Sequence, residues 1–558
     1  MVMVLIGVSM LLIGVALSWM SGHKSLTHRY TQYTRSVSAA EAATEKVLVA
    51  INQDYKNFGH GYVMKNLDKY RSMVPKTAEF PDWKNFRFTD AAGNLGRLNV
   101  EYLAATNLTT VSSQYPGLLG FPNTFRIISR AQELDSSLAV NGSVEQQVQV
   151  SLIPLYQFAM FYNLDYECTA LPPMTVNGPV HCNGDMYLTP HTGLTFNNDV
   201  TCSKKILRSA KPGNDVAGTG PVTFKGASDG GVSTLTLPIG TNNSIAAVRE
   251  VVEIPPATED PFSAMGQQRF YNRAQMIILV SNTTLTVKSG RHNDFATTVL
   301  LQDFVRTNAM LYNGRAGKTV RVTDIYIDKF IAWKADPARN NITHPLYPIL
   351  STGPDVTVIY VADFRTTNST TQMGIRLRNG QTLPKEGLTV ISPHPVYTLG
   401  HYNCPNAAHL GTTNTTATAP ASIVADAITI LSSAWNDNNG LSMSLASRVP
   451  VPTTVNAAFV AGIVQTSKAL GYSGGVENFP RFLEDWANKI VSTYNGSMVV
   501  MFESKHATKP WVNIGTYYNP PVRNWSFDTN FRDPLRLPPA TPAASLLVRG
   551  KWALASAP

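Results

Sequence analysis

The sequence predicts an α+β fold, in which a long N-terminal helix is followed by a β-rich body with a β-solenoid section. Three observations predict this fold. The first 20 residues carry no charged side chain, an amphipathic helical pattern continues to about residue 57, and a 20-residue repeat of short alternating strands begins at residue 174. The rest of the 558-residue chain is rich in Thr, Asn, Val and Ser, which favour strands and turns.

Composition excludes several protein classes. Charged residues make up 15% of the chain, and its 38 glycines and 35 prolines are not arranged in repeats, which excludes collagen, a coiled coil and wholesale disorder. The net charge of +9 is diffuse, and its densest run, at 204–211, is not followed by a Lys/Arg-rich helix. We therefore expect no nucleic-acid partner.

Familiar catalytic and cofactor motifs are missing from the sequence. No GxGxxG follows a strand, and neither HExxH nor CxxC nor a P-loop pattern occurs. His394 and His401 flank a turn that contains Pro and Gly, but this pair alone does not predict a metal site. We therefore assign no catalytic residue, no cofactor and no metal, and we expect that the protein is not an enzyme.

The N-terminal segment MVMVLIGVSMLLIGVALSWM is long enough to span a membrane, because about 20 apolar residues form about 30 Å of helix. A secretory signal peptide is the alternative, but it would carry a basic segment before its apolar core. No basic residue precedes the apolar run, and the bulky Trp19 and Met20 follow the passable cleavage site at residues 16–18. We expect this segment to stay in the mature protein.

The helix is expected to continue beyond the apolar segment to about residue 57. Proline is absent before Pro75, and Gly59 and Gly61 are the first stop signals. A helix of this length would be about 85 Å long. Its apolar stripe consists of Val37, Ala40, Val47, Leu48, Ile51 and Tyr55.

This pattern fits either a single-pass anchor with a juxtamembrane helix or a helix that packs against copies of itself in a filament. A lone anchor would need only the first third of this helix, whereas for the filament helix we expect the stripe to pack on the protein's own β-rich body. In a filament the apolar first third of the helix, residues 1–20, would form the core, with Leu5 and Leu12 inside it. The small residues Gly7, Gly14 and Ala16 would let neighbouring helices approach closely.

Four regions are expected along the chain. Residues 1–57 form the helix, 58–165 an α/β connecting region, 166–400 a β-rich body with solenoid-like repeats, and 401–558 a C-terminal region. The last is expected to contain helices at Ala421–Trp435 and Pro480–Lys489, strands, and a Pro-rich extended tail that wraps over the body. Strands are expected at Met276–Val280, Val299–Leu301, Val320–Ile327, Val356–Val361, Leu388–Ile391, Thr454–Val464 and Ser497–Phe502.

The 20-residue repeat predicts the solenoid section. The segments MTVNGPVHC (174–182) and LTFNNDVTC (194–202) align without a gap, and alternate positions are apolar, as in strands with one buried face. Two copies could also be a coincidental pair of hairpin strands. Stacked in register, they place Cys182 above Cys202 at about 4.8 Å, within reach of a disulfide. We predict this bond for an exported protein; the alternative is a pair of buried thiols.

The apolar start followed by SVSAAEAATEKVL (36–48) resembles the N-terminal segment of PilX-type pilin-like proteins of bacterial type IV pilus systems. The C-terminal half is similar to large pilin-like proteins that carry this segment. The matching stretches are LTVISPHPVYTLGHYN (388–403), PASIVADAITILSSAWND (420–437), TTVNAAFVAGIV (453–464), YSGGVENFPRFLEDWANK (472–489) and NGSMVVMF (495–502). With the N-terminal segment they cover less than a third of the chain.

The resemblance implies an exported, membrane-anchored subunit whose helix packs into a filament core. The implied partners are copies of itself or other pilin subunits, the inner membrane before assembly, and the pilus assembly machinery. The implied final location is an extracellular filament on the cell surface, with a role in cell adhesion. One position departs from the family: ordinary major pilins have a glutamate at the fifth mature position, and counted from Met1 this chain has Leu5.

A second hypothesis is a membrane-tethered β-solenoid enzyme or binding module that acts on polysaccharide. Solenoid lyases need acidic and basic residues clustered on one strand face. The outer face of the visible repeat offers mainly Thr, Asn, Pro and His, with Asp199 alone. This composition favours the structural subunit of a filament, as either a major or a minor, tip-located pilin.

Overall fold

The computed structural model describes residues 1–105, 107–111, 115, 117–134, 139–289, 293–298, 304–335, 356–440, 444–511 and 515–555. The chain forms two compact units. Unit 1 consists of residues 1–113, 120–152 and 545–558, and unit 2 of residues 114–119 and 153–544.

The helices are α1 (Val2–Lys65), α2 (Leu67–Arg71), α3 (Ile245–Arg249), α4 (Ala264–Gln268), α5 (Phe270–Arg273), α6 (Ile327–Ala335) and α7 (Asp437–Gly440). The strands are β1 (Phe86–Thr89), β2 (Asn99–Ala105), β3 (Thr109–Thr110), β4 (Leu119–Glu133), β5 (Asn141–Pro154), β6 (Met160–Tyr162), β7 (Tyr166–Cys168), β8 (Met174–Val176), β9 (Val180–Cys182), β10 (Met186–Leu188), β11 (Leu194–Phe196), β12 (Val200–Cys202), β13 (Ile206–Leu207), β14 (Val222–Phe224), β15 (Ser228–Gly230), β16 (Met276–Val280), β17 (Leu285–Ser289), β18 (Asn293–Thr298), β19 (Val305–Asn313), β20 (Lys318–Tyr326), β21 (Val358–Asp363), β22 (Thr371–Arg378), β23 (Leu388–Ile391), β24 (Val396–Leu399), β25 (Ala421–Ala425), β26 (Ile428–Leu431), β27 (Thr453–Asn456), β28 (Ala458–Ile463), β29 (Pro480–Arg481), β30 (Val491–Gly496), β31 (Met498–Glu503), β32 (Val522–Phe527) and β33 (Ala543–Leu554).

Helix α1 dominates unit 1. It contains one non-helical residue, Gly59 (φ 77°, ψ 178°), which bends the chain where the sequence pattern predicts the helix to stop. Glycine suits this position because a Cβ would strain a backbone with positive φ. The helical turns then continue to Lys65, beyond the predicted end.

The rest of unit 1 is an antiparallel sheet in the order β1-β4-β5-β33, with β2 and β3 also paired to β4. Long strands β4 and β5 alternate buried and partly exposed residues, as expected for a sheet with one covered face. The second half of α1 shares a hydrophobic core with this face. The buried residues of the predicted stripe are Ala40, Val47, Leu48, Ile51 and Tyr55.

Helix α1 and β5 approach each other closely at Gly142. A Cβ on this glycine would lie 2.3 Å from the backbone nitrogen of Val37 and 2.5 Å from the carbonyl carbon of Ser36. Nearby, the buried hydroxyls of Thr44 and Ser129 lie 2.8 Å apart, so the polar groups within this contact are partners of each other. The contact therefore depends on small residues on both elements.

Unit 2 is built from short parallel strands stacked in layers. Its longest sheet has the order β15-β12-β9-β6-β31-β28-β25-β23-β21-β16-β17-β18, and every pair from β15 to β16 is parallel. The chain enters this sheet in its middle at β6 and moves outward to β15. After β15 the chain re-enters the sheet near its other end, at β16. It then returns strand by strand to β31, which pairs with β6.

Further parallel sheets in unit 2 have the orders β13-β10-β7, β14-β11-β8 and β27-β30-β32. The remaining sheet, β19-β20-β22-β24-β26-β29, is antiparallel between β19 and β20 and parallel in its other pairs. Between 160 and 207 the strands pair at the 20-residue offset that the sequence repeat predicts, whereas β14 and β15 pair with β11 and β12 at an offset of 28 residues. Val180 lies opposite Val200, and Cys182 opposite Cys202.

Side chains at the turns reinforce this 20-residue register. Asp165 Oδ1 accepts a hydrogen bond from the backbone N–H of Asp185 at 2.9 Å, and Asp185 Oδ1 accepts one from the N–H of Lys205 at 3.1 Å. Asn183 Nδ2 donates to Asn163 Oδ1 at 2.9 Å, again one rung apart. The side chains in the turn of one repeat therefore provide hydrogen-bond partners for the turn of the next repeat.

Both helices predicted in the C-terminal region are wrong. Ala421–Trp435 contains β25 and β26, and Pro480–Lys489 contains β29 followed by turns. The run from 421 to 431 is apolar at almost every position, and such a run cannot be distinguished from a helix by periodicity alone. Here both faces are covered, because every residue of β25 and β26 is buried.

The predicted region boundaries also need correction. The connecting region 58–165 contains the antiparallel sheet of unit 1 up to residue 152, and strands pair across the predicted boundary at 400/401. The Pro-rich tail is not only extended: it forms β32 in unit 2 and β33 at the edge of the unit 1 sheet. The predicted strand Val299–Leu301 lies outside the described residues, and the other predicted strands overlap β16, β20, β21, β23, β27, β28 and β31.

Candidate assembly surface

The first third of α1 is an exposed apolar surface. All of the first 31 residues are exposed, among them Leu11 (71%), Leu12 (65%) and Trp19 (65%). An 18-residue window of this helix has a mean hydropathy of 2.4, and none of that window is buried. The helix is long and apolar enough to cross a membrane. Exposure of this much apolar surface to water is costly, at about 25 cal/mol per Å², so lipid or another protein must cover it.

The predicted core residues divide between two sides of this helix. Gly7 and Gly14 are two turns apart and share one side, with no atom within 4 Å of a Cβ placed on either. Leu5, Leu12 and Ala16 share the other side, about 200° around the helix from Gly14. The glycines and Ala16 therefore cannot contact the same neighbouring helix, and the apolar third offers contacts in more than one direction.

A basic segment follows the apolar third. His23, Lys24, His28 and Arg29 are exposed, and the first acidic residue of the chain is Glu41. Arg35 marks the point where α1 reaches the sheet, since its Nη1 lies 3.1 Å from Glu133 Oε1 of β4. The helix thus changes from apolar to basic before it packs on unit 1.

Ion pairs hold the second half of α1 to the rest of unit 1. Arg549 of β33 binds Glu45 through two hydrogen bonds of 2.6 and 2.9 Å. Lys69 Nζ lies 2.7 Å from Asp54 Oδ2, and the hydrogen bond from Lys69 to Asp54 raises the pKa of Lys69. Tyr70 also donates to Asp54 at 2.8 Å, and burial raises the pKa of this tyrosine.

Unit 2 contains buried ionisable groups that are bonded to neighbouring turns of the same unit. Burial raises the pKa of Glu167 to about 6, although Thr466 and Asn214 donate to its carboxylate. Glu477 accepts from the hydroxyl of Tyr472 at 2.6 Å and from the N–H of Thr169 at 3.1 Å. These bonds join neighbouring turns, so the cluster is part of the framework of unit 2.

A second buried cluster surrounds Asp426. Arg249 Nη1 donates to this fully buried carboxylate at 2.8 Å, and the backbone N–H groups of Lys505 and Ala507 donate to it at 2.6 and 2.7 Å. The rings of His394 and His506 are 4.9 Å apart, and burial lowers the pKa of His394 to about 4. Asp426 thereby fixes the loop that starts at Lys505.

His394 and His401, which flank one turn in the sequence, contact different groups in the structure. His394 faces His506, whereas His401 Nδ1 accepts from the N–H of Thr454 at 3.0 Å. Within the described residues, no group of three or more His, Cys, Asp or Glu side chains is arranged to hold a metal ion.

Cys182 and Cys202 are opposite each other, but the structure contains both as free thiols. The predicted disulfide is therefore not present in this structure. Each sulfur turns to the backbone instead: Cys182 Sγ donates to Leu164 O at 3.3 Å, and Cys202 Sγ to Gly184 O at 3.1 Å. Burial raises the pKa of Cys182, which favours its protonated form.

Comparisons with known proteins add little. No protein-family model matches this chain, and no curated protein matches it. Among solved structures, the chain is similar to the crystal structure of the competence-associated pilin ComZ from Thermus thermophilus, with 11% sequence identity and a TM-score of 0.30. The alignment covers 94% of this chain and 97% of that one, but a TM-score this low does not establish a shared fold.

Proposed function

We propose that this protein is a structural subunit of a type IV pilus-like filament, assembled through the first third of α1. One observation carries the proposal: the same helix is apolar and exposed as far as Met20 and packed on its own sheet from Ser36 onward. A helix that served only as an anchor would not need the second, buried half. The sequence resemblance to PilX-type pilin-like proteins supports the same function.

The proposal places the subunit first in the inner membrane, with the apolar third of α1 in lipid. The assembly machinery then moves it into a filament on the cell surface, where copies of itself or other pilin subunits replace the lipid. Either environment covers the same apolar surface, so the transfer does not require the helix to unfold. We further infer that residues 160–230 form a β-solenoid displayed outside the filament core. Their strands pair in parallel, at the 20-residue offset of the sequence repeat up to residue 207 and at 28 residues for β14 and β15.

The proposal is tested on surface filaments sheared from cells that express the chain. Electron microscopy shows whether filaments depend on the gene, and mass spectrometry identifies their components. We expect peptides from both units in the filament fraction, together with a peptide from the apolar third of α1. Absence of the chain from that fraction, or removal of this apolar third on export, would contradict the proposal.

A further inference from the structure

A groove in unit 2 lies between the edges of two parallel sheets. Strand β8 ends the sheet β14-β11-β8, and β32 ends the sheet β27-β30-β32. Residues from both strands line a cavity of about 640 Å³, which is in the range of ligand-binding pockets. In the long sheet, by contrast, β31, β6 and β9 pair one after another without interruption. The stack of parallel strands is therefore continuous in the long sheet and interrupted between β8 and β32.

The two edges present unpaired backbone groups to the groove. On β8, the N–H of Met174 donates to Gly193 O and the carbonyl of Val176 accepts from Asn197, so the backbone groups of Thr175 between them point away from β11. On β32, the N–H of Val522 donates to Ile490 O, so the backbone groups of Arg523 and Trp525 point away from β30. Among the described residues, neither edge pairs with another strand.

The edges converge at one end of the groove and separate at the other. A Cβ on Gly178, just after β8, would lie 2.8 Å from the Cβ of Phe527, at the end of β32. Next to this contact, a cavity of only about 20 Å³ remains between Val176 and Phe527. The space is therefore a wedge that opens toward Val522.

The walls of the wedge are apolar. Leu171 and Val522 are 54% and 46% exposed, which is high for large apolar side chains beside a groove. Trp486 is 1% exposed, and within the part of the chain that the structure describes its indole N–H has no hydrogen-bond partner. The same holds for the indole N–H of Trp525. Both indole nitrogens lie beneath the surface, so what the walls offer a ligand is apolar contact.

The rim of the groove carries positive charge and backbone strain. The lining residues include Lys489 and Arg523 and no acidic side chain. Asn488 and Lys489 both have positive φ, 61° and 63°, which is uncommon for residues other than glycine. Lys489 is exposed beside the opening of the groove.

We propose that this groove binds an extended, mainly apolar peptide segment of a partner protein, which pairs with the edge of β8 at Thr175 and places a carboxylate against Lys489. An extended peptide is the occupant because an unpaired strand edge requires backbone donors and acceptors in strand geometry, which a saccharide does not supply. Apolar side chains match the walls, and the carboxylate matches the one-sided charge of the rim. This inference is independent of filament assembly.

The test uses the full chain in detergent micelles and a displayed library of random peptides of about ten residues. Selected peptides are synthesised and measured against Thr175→Pro, which removes the edge N–H, and Thr175→Val, which keeps it. We expect Thr175→Pro to weaken binding about tenfold, the effect of one lost hydrogen bond, and Thr175→Val to leave it nearly unchanged. Bound peptide should also slow amide exchange at Thr175, Arg523 and Trp525.

Removal of the rim charge gives a second readout that does not depend on proline at position 175. Lys489→Ala should weaken peptides with a carboxylate about fivefold and leave the matching amide peptides unaffected. Selection of no peptide that depends on Thr175 or Lys489 would overturn the proposal. So would an acidic oligosaccharide, such as oligogalacturonate, that quenches tryptophan fluorescence while the selected peptides do not compete with it.

Discussion

At the scale of single residues, Gly142 controls how closely α1 packs on its sheet. A methyl group there would meet the backbone of Val37 and Ser36, which cannot rotate away as a side chain could. We expect Gly142→Ala to lower the free energy of unfolding of unit 1 by about 1–3 kcal/mol, the usual cost of overpacking. Urea unfolding followed by circular dichroism measures this loss.

The control is Gly61→Ala in α1, where nothing lies within 4 Å of the added Cβ. Alanine is favoured over glycine in a helix by about 1 kcal/mol, so this variant should be neutral or more stable. Equal stability losses in the two variants would show that the close approach at Gly142 is not the cause.

Glu484 gives unit 2 a specific dependence on pH. Its carboxylate is buried at 1% exposure and accepts from the N–H and hydroxyl of Ser432 at 2.7 and 2.6 Å. Burial raises the pKa of Glu484 from 4.5 to about 7. Below pH 4.5 the carboxyl is protonated in both the folded and the unfolded chain. As pH rises toward 7 the unfolded chain loses this proton first, so the free energy of unfolding falls.

The Glu484→Gln variant remains neutral at every pH and should not show this fall. Between pH 4.5 and pH 8 the free energy of unfolding of the native chain should therefore fall by about 3 kcal/mol relative to that of the variant, at 1.36 kcal/mol per pKa unit. Urea unfolding at both pH values, followed by tryptophan fluorescence, measures the difference. Parallel pH profiles for the two proteins would mean that Glu484 has the same pKa in the folded and the unfolded chain.

The oxidation state of Cys182 and Cys202 decides between the structure, which contains free thiols, and the disulfide predicted from the 20-residue spacing. Because Cys182 and Cys202 are buried free thiols, we expect iodoacetamide to modify neither in the folded protein and both in urea without a reductant. Mass spectrometry of the exported protein counts the modified residues. If both require prior reduction, the disulfide predicted from the 20-residue register forms after all.

At the scale of elements, the hydrogen bonds between rungs stabilise the parallel stack. Asp185→Ala removes the acceptor for the N–H of Lys205 and should lower the free energy of unfolding of unit 2 by about 1–3 kcal/mol. Asp185→Asn keeps an oxygen in the same place and should cost less. Urea unfolding of both variants measures this difference, and equal losses would mean that this hydrogen bond does not stabilise the register.

The sequence allowed prediction of part of the repeat and not its extent. The segment 161–165 shares Asn163 and Asp165 with Asn183 and Asp185 of the next rung, a signal that the comparison of 174–202 alone misses. Farther along, successive partners are no longer at a constant offset: Ile359 pairs with Val390, Val390 with Ile423, and Val460 with Val499. Loops of different length between rungs hide the repeat, although the stacking is the same.

The candidate assembly surface was more predictable than the body, because it depends on local properties. Absence of charge through Met20 and one-turn spacing of the stripe are visible in sequence and decide exposure and burial in α1. The groove between β8 and β32 could not be predicted, because it depends on strands that are far apart in the chain. Its only local signal is two pairs of adjacent prolines, Pro172-Pro173 and Pro520-Pro521, which line it.

At the scale of the whole molecule, the surface proposed for assembly is separate from the buried cores of the two units. The apolar third of α1 has no covering partner within the described residues, while each unit has a buried core of its own. Changes in this third should therefore affect assembly and leave the folding of both units intact. Changes in the rungs of unit 2 should have the opposite effect.

The most direct test of this account is filament formation by Leu12→Arg compared with Ser38→Arg. Leu12 lies in the middle of the exposed apolar third, where a charge should cost about 2.5–3.5 kcal/mol in a membrane helix, whereas Ser38 is exposed where α1 packs on the sheet. Electron microscopy of cells with each variant, with protein levels matched, should show filaments for Ser38→Arg and none for Leu12→Arg. Normal filaments from Leu12→Arg would contradict the claim that this helix assembles the protein.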